Sequence, residues 1–210
     1  MITKKCNNSL LLDYLAFLNK SNFKYVYKIN KTSNGYSYKY IIGKTYKNAV
    51  ELSYLKLYKI AKILKNLHIL SFRYGYIHNF KQDEIICHTD ISPLNIIFNF
   101  LGWPKKIIDF DECEILNYIY DVIFLLCTCI NIGDWNKINF KTKAKKVLFF
   151  ISQYKDKKLI DLIFKNIDFF YNHTIKKYQN RNIQNLDIKI KWLDSIKRFF
   201  KYWYDCQYRL

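Results

Sequence analysis

The sequence predicts an α+β fold in which helix dominates and a few short strands carry the unusual residues. Three observations lead there. Half of the 210 residues are apolar and 19% are aromatic, so the chain can form a core, yet it holds only five Gly and two Pro, too few for a turn-rich all-β fold. Two stretches read as β-hairpins, at residues 23–42 and 95–110. The second half carries long apolar patterns at helical spacing.

In order, residues 8–20 place Leu11, Leu15 and Leu18 on one helical face, with Ser9 as a candidate N-cap. Residues 19–22 read as a turn and 23–29 as a strand. Asn34-Gly35 supplies the positive φ of a tight turn, and 36–42 is the return strand, ending at Gly43. Residues 48–72 are helical, with Leu57, Ile60, Leu64 and Leu67 aligned and His68 as a polar cap in the last turn. Four more helices follow, at 118–132, 141–154, 156–179 and 186–206. At this length the chain makes one domain or two small lobes.

The formal charge is +18, which permits binding to RNA, DNA or an anionic membrane surface. The lysines are spread through the chain among Asn, Ile and Tyr, so solvated lysine faces are favoured over a nucleic-acid surface. The basic aromatic run at 197–204 reads as a core stripe with snorkelling lysines rather than a base-stacking platform. Six cysteines, including Cys6, form no C-x-x-C pair, which points to reduced thiols and away from zinc or a disulfide framework. No leader pattern is evident, and the best apolar run, residues 122–132, is too short to span a bilayer. A cytoplasmic protein without membrane insertion follows. Oligomeric state is not legible.

The stretch from Ile85 to Asp111 concentrates the chemistry. It holds His88, Asp90, Asn95, Asp109 and Asp111 in and around two short apolar runs, 95–98 and 106–110, joined through Gly102 and Pro104. A hairpin centred on Gly102 sets Asn95 opposite Asp109, beside Asp90 on the preceding loop. An amide oxygen with carboxylates suits Mg²⁺, which takes few protein groups and completes its shell with water and phosphate. Each residue alone has a plainer reading. Asp90 can start a helix, Asn95 can sit in a turn, and Asp109 or Asp111 can be a surface charge. Those readings do not explain acids set inside apolar runs, where an unpaired charge is costly.

His88-Thr89-Asp90-Ile91-Ser92-Pro93-Leu94-Asn95, followed by Ile108-Asp109-Phe110-Asp111 and by Asp121, resembles the aminoglycoside phosphotransferase and choline kinase-like family. That resemblance implies a protein-kinase-like fold, with a reduced small lobe at 1–42 and a mostly helical large lobe at 43–210 carrying a metal-binding β-hairpin. It implies phosphoryl transfer from ATP, or another nucleoside triphosphate, to the hydroxyl of a small acceptor such as an aminoglycoside, choline or another alcohol. Asp90 would take the hydroxyl proton, and Asn95 and Asp109 would hold Mg²⁺. His88 and Asp121 would brace the loop, and Asp111 would support the ligands from behind.

The backbone of Tyr40, Ile41 and Ile42 would bind adenine. The helices after this motif shape the family's acceptor pocket, where Glu112 and Glu114 could meet a cation, although a solvated loop is the favoured reading. Trp192 and Trp203 are alternatives for an aromatic box around a quaternary ammonium. The pattern departs from the family before residue 8, where neither a Gly-rich phosphate loop nor a strand bearing the phosphate-binding lysine is read. Lys4 and Lys5 look like poor substitutes, and the chain looks truncated or reduced. The competing reading is a non-catalytic kinase-like scaffold or a basic RNA-associated module.

Overall fold

A computed structural model describes residues 1–5, 8–156 and 158–208, the side chains of 207 and 208 excepted; Cys6 lies outside the described residues. The chain opens with strand β1 (Ile2–Lys5) and helix α1 (Ser9–Lys20). Helix α1 buries Leu11, Leu15 and Leu18, and its cap is Asn8 rather than Ser9, because the Asn8 carboxamide accepts from the Leu11 N–H at 3.1 Å. Strands β2 (Ile29–Thr32) and β3 (Gly35–Tyr38) form the first hairpin, and β1 pairs antiparallel with β3 from its other side. The sheet order is therefore β1-β3-β2.

Three boundaries differ from the sequence reading, the first being the return strand read as 36–42, which ends at Tyr38. The turn is Ser33-Asn34, with Gly35 already paired to Thr32. Residues 23–28 are not a strand, since Phe23, Val26 and Tyr27 all turn inward and break the period of two.

Helix α2 (Tyr54–Ile77) starts later and runs further than expected. The preceding segment is extended and serves another purpose. The N–H groups of Val50 and Leu52 each donate at 2.8 Å to the carbonyls of Thr128 and Cys129, satisfying the end of helix α3 (Ile119–Cys129). All of α3 is buried, as expected of a helix apolar on every side. Helices α4 (Phe140–Tyr154), α5 (Leu159–Asn180) and α6 (Leu186–Tyr208) complete the helical part close to the expected bounds. Trp203 is buried against Phe164, Phe199 and Phe200, and Trp192 packs on Gly133, so neither ring forms an open aromatic box.

Two short ribbons carry the central stretch. Strand β4 (Glu84–Cys87) pairs with β7 (Glu114–Asn117), and β5 (Ile96–Phe98) pairs with β6 (Pro104–Ile107). Gly43 lets the chain pass close to β5, where Lys44 exchanges two backbone hydrogen bonds with Phe98 at 2.8 and 2.9 Å. A Cβ on Gly43 would meet the Ile97 side chain and stand 2.6 Å from the Phe98 carbonyl oxygen.

Candidate active site

Strand β4 ends at Cys87, and the chain turns at once into the loop bearing His88, Thr89 and Asp90. Asp121, in the first turn of α3 and fully buried, sets this turn. Its two carboxylate oxygens accept the backbone N–H groups of His88 at 2.8 Å and Thr89 at 2.9 Å. Thr89 adopts a left-handed φ of 61°, unusual for a β-branched residue, and its hydroxyl donates to the Glu112 carbonyl at 2.6 Å. His88 is buried, with Nε2–H donating to the Ile108 carbonyl at 2.9 Å and its ring against Phe110. His88 and Asp121 thus tie the loop to both the hairpin exit and the helix behind it.

The Asn95 amide donates to the Asp90 carbonyl and to Asp90 Oδ2, both at 2.9 Å. Asp90 Oδ1 and Asn95 Oδ1 accept no hydrogen bond from the described residues. Burial raises the Asp90 pKa, while the charges of His88 and Lys177 and the Asn95 hydrogen bond pull it down and the Asp109 charge adds to the rise.

The hairpin register corrects one expectation. Ile96 pairs with Ile107, and the Ile108 N–H donates to the Asn95 carbonyl at 2.9 Å, so Asn95 faces Ile108 rather than Asp109. The turn closes between Asn99 and Trp103, around Leu101, and a bulge near Ile97 absorbs the extra residue. Asp109 leaves the strand altogether. It takes a left-handed φ of 68° and opens a 3₁₀ turn over Phe110–Glu112, which swings its carboxylate out of the ladder.

Lys4, at the edge of the first sheet, reaches both Asp109 and Asp111 with its amine. Burial pulls the Lys4 pKa down, but the hydrogen bonds and charges of the two carboxylates outweigh it and hold the amine above its usual range. Tyr36 on β3 donates its hydroxyl to Asp111 Oδ1 at 2.7 Å. The lead expected to bear no strand is therefore β1, and its lysine is joined to the candidate metal ligand.

No protein-family model matches the sequence, and no curated protein matches it. Solved structures do. The amicoumacin kinase hAmiN complex with AMP-PNP and Ca²⁺ aligns with a TM-score of 0.58 at 11% identity, over 93% of this chain and 79% of that one. The gentamicin–APH(2″)-IIa complex aligns at 0.55 and 17% identity, over 89% and 79%. Choline kinase LicA from Streptococcus pneumoniae aligns at 0.51 and 15%, over 93% and 81%.

The chain has a protein-kinase-like fold. Tyr40, Ile41 and Ile42 follow β3. Tyr40 and Ile42 are exposed, and the Ile42 carbonyl accepts from Lys105 at 3.1 Å. The backbones of Tyr40 and Ile41 make no backbone hydrogen bond among the described residues.

Sequence reasoning misjudged His68 and Lys4 and did not single out Lys177 or Arg181. His68 lies mid-helix and buried, not in a last turn. Its Nδ1 pairs with the Tyr154 hydroxyl at 2.6 Å, and with Tyr154 as donor its Nε2–H faces Asp121 at 3.5 Å. Lys4 could have been found from Ile2-Thr3, a β-branched pair in front of it. Lys177 on α5 and Arg181 just past its end carry no local signal at all, because only the packing of α5 brings them beside the loop.

Proposed function

We propose that this kinase-like chain transfers a phosphoryl group from a nucleoside triphosphate to the hydroxyl of a small acceptor. The observation that carries the reading is the Asp90–Asn95 pair set beside Asp109 and Lys4. Asn95 fixes one Asp90 oxygen and leaves the other to accept the acceptor's hydroxyl proton. The raised pKa keeps that carboxylate a stronger base than an exposed one. The γ-phosphorus bond to the bridging oxygen breaks as its bond to the acceptor oxygen forms, and the nucleoside diphosphate leaves.

The residues fit a hard divalent cation. Among the described residues no three His, Cys, Asp or Glu side chains gather to hold a metal alone. Asn95 Oδ1 and the half-exposed Asp109 carboxylate offer oxygen ligands of the kind that Mg²⁺ shares with phosphates and water. Asp109 and Asp111 already collect a cation in the Lys4 amine. When bound, Mg²⁺ would neutralise charge on the phosphates. On this reading Lys4 moves from the carboxylates to the phosphates, and the open backbone of Tyr40 and Ile41 receives the base.

A thermal-shift titration with ATP tests this. Stabilisation that needs Mg²⁺ and disappears with EDTA supports the reading, whereas stabilisation by RNA that fades with salt, and none by Mg²⁺-ATP, favours the basic binding module.

A further inference from the structure

The turn between β5 and β6 is held so that its apex faces outward. The Asn99 carboxamide oxygen accepts the N–H groups of Leu101 at 3.0 Å and Trp103 at 2.9 Å, and the Asn99 carbonyl accepts from Gly102 at 2.9 Å. Phe100 and Leu101, between these anchors, are 85% and 78% exposed. Ile42 before β5 and Leu55 in the first turn of α2 are exposed as well. Apolar side chains gathered at one surface mark a place where something else is met.

Lysines frame this apex. Lys56 lies against the turn, where a Cβ on Gly102 would stand 3.1 Å from its amine, and it donates to the Tyr46 hydroxyl at 3.1 Å. Further along α2, the Lys59 amine stands 5.9 Å from the centre of the Trp103 ring, and the Lys62 amine 4.2 Å from that of Tyr58. Lys105 on β6 donates to the Ile42 carbonyl at 3.1 Å, and Lys44 is bridged to Phe98. Among the described residues none of these five lysines belongs to an ion pair.

The local sequence agrees. Residues 39–66 hold seven lysines and one acid, Glu51, which Lys146 and Lys143 take at 2.8 and 3.5 Å. Residues 96–108 hold two lysines and no acid. The field is felt at Lys106, whose amine lies below its usual range through burial and the charges of Lys105 and Lys28. Positive charge is therefore left unneutralised on this face. The apolar cleft between α5 and α6 differs, because Asp161, Asp168 and Asp205 line it beside its lysines.

An apolar apex collared by unpaired lysines matches a surface that lays negative charge over hydrocarbon. Protein interfaces are poor in lysine. A nucleic acid would use open aromatic faces for stacking, but Leu101, Ile42 and Leu55 are aliphatic and Lys59 already lies over Trp103. We propose that this face docks peripherally on an anionic lipid bilayer. Phe100 and Leu101 enter the headgroup boundary, and Lys44, Lys56, Lys59, Lys62 and Lys105 meet the lipid phosphates. The docking is superficial, as no helix among the described residues is long and apolar enough to cross a membrane. It does not depend on the phosphotransferase reading.

Co-sedimentation of the full chain at fixed ionic strength, with vesicles of phosphatidylcholine alone and of phosphatidylcholine mixed with phosphatidylglycerol, tests it. The mixed vesicles should bind at least tenfold more tightly than the neutral ones. Phe100→Ser with Leu101→Ser removes no charge and should weaken that binding at least fivefold at an unchanged melting temperature. Lys56→Gln with Lys59→Gln should weaken it as much, while Lys189→Gln with Lys191→Gln removes equal charge from the exposed face of α6 and should leave it within twofold. Equal binding to both vesicles overturns the proposal, as does full binding by the Phe100 and Leu101 variant. Equal losses in the two lysine variants also overturn it, since the overall charge then accounts for the binding. Retention of a uridine oligomer by a chain that the mixed vesicles do not bind assigns the lysines to nucleic acid and overturns it too.

Discussion

Lys4 and Asp109 stand 105 residues apart in the chain and share an ion pair. That contact joins the edge of the first sheet to the residue that leaves the second hairpin. It places an amine, a candidate metal ligand and the Asp90 loop in one neighbourhood.

Replacing Lys4 with Met should raise the ATP concentration needed for half-maximal stabilisation or turnover by tenfold or more. The fold should survive, because a partly exposed ion pair contributes about 1 kcal/mol or less. Lys4→Arg should recover part of the affinity. Unchanged nucleotide affinity in Lys4→Met would remove the lysine from the phosphate site.

Asp90→Asn should abolish most turnover without lowering the melting temperature. The Asp90 pKa is raised in the fold, so its contribution to stability is present below the unfolded value and lost as pH rises through the folded one. At neutral pH the ionised carboxylate is a cost that Asn removes, while its amide oxygen still accepts from Asn95. Full activity in this variant refutes Asp90 as the base.

The pH dependence of turnover should show an acid limb whose midpoint lies above the ordinary Asp value of about 3.9. The sign follows from burial: the charged form needed to take a proton is disfavoured, so activity falls as pH drops through the raised pKa. Lys177 adds a charge that lowers Asp90. Lys177→Met should therefore move the limb to higher pH, and an unmoved limb would separate Lys177 from the base.

Asp121→Ala should destabilise the chain by about 3 kcal/mol or more, since it strands two buried N–H groups. Asp121→Asn keeps one acceptor and should cost less. Urea unfolding of both variants measures the difference, and equal losses would show that the hydrogen bonds are not what the carboxylate supplies.

Much of this architecture is legible in local pattern. Val147, Phe150 and Ile151 point inward on α4 as their spacing predicts. Leu11, Leu15 and Leu18 do so on α1, because helical periodicity is a short-range property. The spacing from His88 to Asp111 likewise marks the loop and hairpin. What local pattern misjudged was each place where a neighbour decides. Asp109 left the strand, the register moved by one at a bulge, and His68 became a buried partner of Tyr154 instead of a helix cap.

The sequence by itself determined which residues have the chemistry, and the order in which helices and strands carry them. Tertiary structure alone decided their partners: Lys4 with Asp109, and Lys177 and Arg181 with Glu112. The physical reason is range. Backbone preference and apolar spacing act within a few residues, whereas an ion pair depends on distance in space, and only packing brings β1 and α5 to either side of one loop.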